Sequence, residues 1–434
     1  MKRIFFPCAF HAENRKKLIN LLPSKSLALV FSNDRMPRSG DLYFPFRQNS
    51  DLFYLSGIVQ AKTILALCPA HPQPEYREIL FMLQPDAARE TREGHRLTGE
   101  EATAVSGVKT VMDVEHFRWM MDDLACSSDH IYADIEENVK RDSELRTFDL
   151  RAAGWLKSRF PLHRYGRLAT LTAQLRFVKQ PEEIQMIRSA CEITRTAFDR
   201  ILGRTAAGMN EYELEAELTF EILRNGATGH AFPPIVASGK NACVLHYNDN
   251  NRMICDGELV LFDFGAELAG YNSDCSRTIP VSGRFSARQR QLYEAVLRVF
   301  RNVRAIMKPG MSIEQINLQT RRFWEEEHVR LGLYSMEDLR RQDADKPLFR
   351  KYFMHGVTHT LGLDVHDVGD RRQPLQPGAI LTCEPGIYIP EEGTGIRLEN
   401  DILITPSEPI DLMEDIPVEP DEIEERMMTR IIEN

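Results

Sequence analysis

No stretch of the 434 residues approaches the run of about 18 apolar side chains that a helical membrane span requires. The opening Met1, Lys2, Arg3 and Ile4 to Phe6 imitate a signal peptide, but Pro7 and the polar His11, Glu13, Asn14 and Arg15 cut the apolar run far short, so a cytoplasmic location is expected. Cysteine is sparse and scattered: eight singles lack both the paired spacing of a sulfur-rich zinc site and the density of a disulfide scaffold, and they read as reduced, packed thiols. There is no excess of positive charge. The formal net charge is −10 and the basic residues form no stripe, which leaves nucleic acid without an electrostatic footprint and favours a peptide-sized partner. Low-complexity tracts and fixed-period repeats are also missing.

What is present is a globular composition, 43% hydrophobic and 27% charged, in a chain too long for one ordinary core. The pattern predicts an α/β N-terminal domain over residues 1–172 and an α+β domain over 173–434. In the first, Ser26 to Phe31 and Thr63 to Leu67 read as buried strands, and His116 to Leu124 and Leu145 to Phe160 as helices. A boundary follows at Lys179 to Glu183, where Pro181 suits a first helical position and Glu182 and Glu183 suit the positive helix end. Ile184, Ile187, Cys191, Thr194 and Phe198 then give this helix one apolar face. A second helix is expected from the N-cap Asn210, with Glu213 closing a capping box and Gly226 ending it. Beyond it, Pro233 to Val244, Leu259 to Phe264, Cys275 to Val281, Ile380 to Ile389 and Gly395 to Ile404 read as strands of an antiparallel sheet, interrupted by one helix over Ala287 to Ile306.

Four acids lie within these apolar strands, where an unpartnered carboxylate is costly. Asp263 and Asp274 flank a turn about Leu268 and Ala269; if Glu267 pairs with Gly270, the two acids face each other with Cβ atoms roughly 5 Å apart. Glu384 and Glu399 flank a second turn and are expected to form a second inward pair. Between the pairs, His355, His359 and His366 place three of the chain's twelve histidines within twelve positions. Alone, each has a bland reading: a strand Asp is often an edge residue, and a core His is often simply hydrogen-bonded. Together they form an oxygen-rich, one-nitrogen donor set. Such a set suits Mn²⁺ and tolerates Zn²⁺, Co²⁺ or Fe²⁺.

At these residues the sequence resembles the aminopeptidase P branch of the creatinase and methionine aminopeptidase superfamily, which has the pita-bread fold. Tyr43 to Gly57 is similar to the family's N-terminal signature. The segments around His246, Asp263 to Thr278, His355 to Gly369, Glu384 to Tyr388 and Gly395 to Asp401 match its catalytic motifs in order. The resemblance implies an α/β domain followed by an α+β pita-bread domain, two divalent metal ions, and a metal-bridging hydroxide that hydrolyses the bond before a proline in second position. It implies that Asp263 chelates one metal, that Asp274 and Glu399 bridge both, and that His359 and Glu384 complete the other. Glu384 would also be the base. His246, His355 and His366 would surround the substrate, and Arg397 would hold the carboxylates. Asp41 aligns with a family residue that reaches across a subunit interface, and a homo-oligomer, dimer or tetramer, is expected. A dipeptide-restricted prolidase and a metal-free peptide-binding module built on the same fold are the alternatives.

Overall fold

A computed structural model describes residues 6–135 and 145–433. The polypeptide divides into two compact units between Arg176 and Phe177.

The first unit contains α1 (Cys8–Leu21), β1 (Ser26–Phe31), the small strands β2 (Pro37–Ser39) and β3 (Leu42–Tyr43), α2 (Ser50–Ser56), β4 (Ile64–Leu67), β5 (Glu78–Met82), α3 (Ala87–Glu93), α4 (Gly99–Ser106), β6 (Thr110–Asp113), α5 (Phe117–Cys126), β7 (His130–Ala133), α6 (Phe148–Arg159), β8 (Arg164–Arg167) and most of α7 (Ala169–Phe177). Six of its strands make one mixed sheet in the order β6-β5-β4-β1-β7-β8. Pairing is parallel for β1 with β7, β7 with β8 and β5 with β6, and antiparallel elsewhere. The strands read as continuous apolar runs because helices cover the sheet: Leu27, Leu29, Phe31, Ile64 and Phe81 pack against Phe117, Met121, Leu124 and Leu156 of α5 and α6. Asp41 lies in the exposed turn between β2 and β3.

The second unit opens with α8 (Pro181–Leu202), which starts with proline at a first-turn position and a Gln180–Glu183 capping box. Its buried face contains Ile187, Cys191, Thr194 and Phe198, as the spacing predicts, but Ile184 is only half-buried. Glu183, expected to sit by the helix end for its charge alone, is buried, and it accepts hydrogen bonds from Gln180 N–H and the Tyr271 hydroxyl. The next helix, α9 (Glu211–Arg224), has the expected Asn210–Glu213 capping box, and Gly226 follows its end in the left-handed region at φ +89°.

The unit continues with β9 (Gly229–His230), β10 (Ile235–Ser238), β11 (Leu259–Phe264), β12 (Ala266–Leu268), β13 (Tyr271–Asn272), β14 (Cys275–Pro280), α10 (Ala287–Ile306), α11 (Ile313–Arg330), α12 (Met336–Arg341), β15 (Ile380–Cys383), β16 (Gly386–Ile389), β17 (Thr394–Arg397), β18 (Asn400–Leu403), β19 (Ile410–Asp411) and α13 (Pro420–Glu433). The ladders are antiparallel: β10-β11-β14, β13-β12-β9, β15-β18-β19 and β16-β17.

Several expectations need correction. The strand expected over Pro233 to Val244 stops at Ser238, and a 3-10 turn, Gly239–Cys243, replaces its second half because Gly239 takes φ +52°. The helix Ala287–Ile306 is joined by α11, α12 and α13, which strand-like expectations for this half left out. The first acid-bearing hairpin turns on Ala269 and Gly270, both with positive φ, so Leu268 pairs with Tyr271 and Glu267 with Asn272. Asp263 is therefore opposite Ser276 and not Asp274. The offset is two residues, and an even shift keeps both acids on one face.

Candidate metal centre and active site

Only Asp263 lies inside a continuous strand. Asp274, Glu384 and Glu399 sit where ladders break, and each uses its backbone N–H elsewhere: Asp274 donates to Asp401 Oδ2 at 3.1 Å, Glu384 to the Val357 carbonyl at 2.9 Å, and Glu399 to the Ser276 carbonyl at 3.0 Å. Pro385, which has no N–H, fixes the break after Glu384. The breaks cross-link separate hairpins through these bonds, which ties the acids into one cluster.

Donor atoms of Asp274, His359 and Glu399 all lie within 4.8 Å of one another. His359 Nδ1 lies 3.0 Å from the Thr360 carbonyl and donates to it, which turns Nε2 to the cluster, 3.4 Å from Asp274 Oδ2 and 3.7 Å from Glu384 Oε1. A bare Nε2 aimed at two carboxylates is repulsive unless a cation or a proton lies between them. Burial, reinforced by Asp263, Asp401 and Glu384, pushes the Asp274 carboxyl well above the ordinary carboxylate range. Burial likewise raises Glu399, with Asp274, Glu384 and Asp263 adding to it, and raises Glu384 against the opposing pull of His359 and Arg397. Asp263 Oδ1 is buried with no hydrogen-bond partner. The donor set, the imidazole tautomer and this orphaned oxygen all fit a divalent cation site.

Arg397 is the cation already present. Its Nη2 donates to Asp263 Oδ2 at 2.6 Å, its Nε to Ser276 Oγ at 2.7 Å and its Nη1 to the Tyr388 hydroxyl at 2.9 Å. Burial opposes its charge, but Tyr388, Asp263 and Glu399 more than compensate and hold it firmly protonated. Ser276 Oγ passes the contact on by donating to Glu399 Oε2 at 2.7 Å. The Tyr388 hydroxyl also lies 2.8 Å from His355 Nε2. Burial, then Arg397, lower the His355 pKa to about 3, so its ring is neutral; Nδ1 donates to Gly356 O at 2.7 Å and Nε2 accepts from Tyr388. His355 Nδ1 is also 3.5 Å from Glu384 Oε2. His366 is exposed and stands edge-on to His359 with ring centroids 4.4 Å apart. His246 is exposed, at a turn after the 3-10 segment, near enough to His355 to help depress its proton affinity.

Residues 185–406 match metallopeptidase family M24, and residues 11–132 match the aminopeptidase P N-terminal domain. The chain belongs to the aminopeptidase P branch of metallopeptidase family M24. It is therefore a metal-dependent peptidase with an AMP_N-type first domain and a pita-bread second domain. It is 34% identical to the Xaa-Pro aminopeptidase of Escherichia coli over 95% of this chain and 96% of that one. The structure of Pseudomonas aeruginosa aminopeptidase PepP superposes with a TM-score of 0.89 at 31% identity, covering 99% of this chain and 100% of that one. Zinc-substituted E. coli aminopeptidase P in complex with product gives a TM-score of 0.88 at 33% identity, with 98% and 99% covered. Among the described residues, no helix is long and apolar enough to cross a membrane.

Three residues of the cluster went unmarked as individuals in the sequence: Tyr388, Ser276 and Asp401. Tyr388 carried a usable signal, because Glu384, Gly386 and Tyr388 alternate onto one face and a Cβ on Gly386 would lie 2.7 Å from the Tyr388 hydroxyl. Asp401 carried the same signal as the other acids, a carboxylate beside Ile402, Leu403 and Ile404, but its partner, the N–H of Asp274, lies in a distant segment.

Proposed function

We propose that the enzyme removes the N-terminal residue from peptides whose second residue is proline, using two divalent ions, with manganese favoured, held by Asp263, Asp274, His359, Glu384 and Glu399. The observation that carries this reading is His359 Nε2 facing Asp274 and Glu384 within a cluster of buried acids. The names of the full-length relatives support the Xaa-Pro bond as substrate.

Bound divalent ions supply Lewis acidity, polarising the scissile carbonyl and acidifying the attacking water. The chain's own groups do the rest. Glu384, whose proton affinity burial raises, takes the proton of the water and delivers it to the proline nitrogen as the C–N bond breaks. His366, exposed beside His359, donates to the oxygen that gains charge, a contribution of about 3 kcal/mol for a well-placed donor. Neutral His355, held by Tyr388 and the Gly356 carbonyl, and His246 line the substrate side. Arg397 keeps Asp263 and, through Ser276, Glu399 in place. Proline's imide needs no acceptor for an N–H and its φ is fixed, so an apolar wall suffices to select it.

The test is a peptide panel with Mn²⁺: Xaa-Pro-Yaa tripeptides, Xaa-Pro dipeptides and Xaa-Ala-Yaa controls. Cleavage of the tripeptides at the Xaa-Pro bond is expected. Hydrolysis confined to dipeptides would make the enzyme a prolidase instead.

A further inference from the structure

Glu211 opens α9 and is fully buried. Its Oε1 accepts from Ser238 N–H at 2.7 Å, Ser238 Oγ at 2.7 Å and Asn241 Nδ2 at 3.2 Å, and its Oε2 accepts from the Tyr247 hydroxyl at 2.7 Å and Arg252 N–H at 2.9 Å. Its own N–H donates to the Arg252 carbonyl at 3.0 Å. All five donors are neutral, and all belong to residues 238–252. One carboxylate thus staples both ends and the middle of a loop that otherwise has only a single 3-10 turn.

This loop is not a distant feature. A Cβ on Gly395 would lie 2.3 Å from the Ala242 carbonyl, so the loop packs backbone to backbone on β17, the strand that leads to Arg397. Its far end is fixed by Asn250, which takes φ +44°, accepts from Val236 N–H at 2.9 Å and donates to the Pro234 carbonyl at 2.9 Å. Between these anchors lies His246, which is exposed and near enough to His355 to lower its proton affinity, with Tyr247 as its neighbour in the chain.

We propose that Glu211 is a positioning residue for peptide binding: by accepting the Tyr247 hydroxyl it fixes the backbone that presents His246 to the substrate. This rests on the reading above that His246 touches the peptide. The carboxylate is required because every group facing it donates. Glutamine would turn an –NH₂ against either the Ser238 and Asn241 donors or the Tyr247 and Arg252 donors, removing acceptors on one side of the loop.

The experiment is steady-state kinetics of the manganese-loaded full chain on an Xaa-Pro-Yaa peptide, with bound metal and Tm measured for each variant. Glu211→Gln and Tyr247→Phe are expected to raise KM about five- to tenfold, with kcat within about twofold and metal content unchanged. Ser238→Ala, which removes a donor to Oε1 and leaves the Tyr247 bond to Oε2 in place, should leave KM within about twofold. Tyr247→Phe should add nothing in a His246→Ala background, because contacts that act through one another are not additive. Tyr247→Phe is the decisive variant if Glu211→Gln fails to fold. A lowered Tm with unchanged KM, or an undiminished Tyr247→Phe effect in the His246→Ala background, would overturn the proposal while leaving the peptidase reading intact. If His246→Ala itself left KM unchanged, the placing of His246 against the peptide would fall, and the proposal with it.

Discussion

Arg397 Nη2 lies 2.6 Å from Asp263 Oδ2, and the same guanidinium reaches Tyr388 and Ser276 with its other nitrogens. One cation therefore orients a carboxylate on β11, a hydroxyl on β14 and a phenol on β16. Lysine offers a single point of charge and cannot span the three. Arg397→Lys is expected to weaken divalent metal binding about 10- to 100-fold, the usual cost of losing a group that orients ligands. Calorimetric titration of the metal-free protein with Mn²⁺ reads this directly; an unchanged affinity would mean that Asp263 holds its place without help.

Asp274 Oδ2 lies 3.4 Å from His359 Nε2. Asp274→Ala should abolish stoichiometric metal binding and peptide turnover together while the protein stays folded, because the substitution also removes a buried carboxyl with raised proton affinity. Metal analysis after dialysis, alongside circular dichroism, separates this from simple unfolding. Normal metal content in this variant would exclude Asp274 as a ligand.

The metal-free protein should lose stability as pH rises above neutrality. Asp274, Glu384 and Glu399 are all pushed above the ordinary carboxylate range by burial, so the folded state keeps protons that the unfolded chain has already released. A carboxyl raised in the folded state contributes stability that is complete below about pH 4, the unfolded value, and lost as pH climbs through the folded one. Histidines whose proton affinity burial lowers, His11, His230, His328 and His355, act in the opposite sense up to about pH 6.5 and not above it, so the Tm of metal-stripped protein is expected to fall from about pH 7 towards about pH 9, with the rise on adding Mn²⁺ largest at the alkaline end. A flat or rising profile for the stripped protein contradicts this account.

Gly265 joins β11 to β12 in the first acid-bearing hairpin. A Cβ there would sit 1.7 Å from the Ser273 carbonyl oxygen, a backbone atom that cannot swing aside. Gly265→Ala must spread the strands carrying Asp263 and Asp274. A loss of about 1 to 3 kcal/mol in stability is expected from the overpacking, together with weakened metal binding. Denaturant melts and metal titration measure the two effects separately.

Local chemistry wrote much of this protein into its sequence. Pro181, the Asn210–Glu213 box and Gly226 fix helix ends through groups a few residues apart, and the continuous apolar run around Asp263 marks a buried strand, because both depend on near neighbours. The donor types, four acids and one histidine, were also legible, since a carboxylate among apolar residues is conspicuous at any register. Tertiary structure alone decided how they meet. Asp274, Glu384 and Glu399 leave their strands to bond Asp401, Val357 and Ser276, which are distant in sequence, and the turn at Ala269–Gly270 set Asp263 against Ser276. Glu211 shows the same limit: as a residue type it is one more acid at a helix start, and only folding gathers five donors from residues 238–252 around it. A hydrogen bond depends on the position of both partners, and for groups tens to hundreds of residues apart that position exists only once the chain has packed.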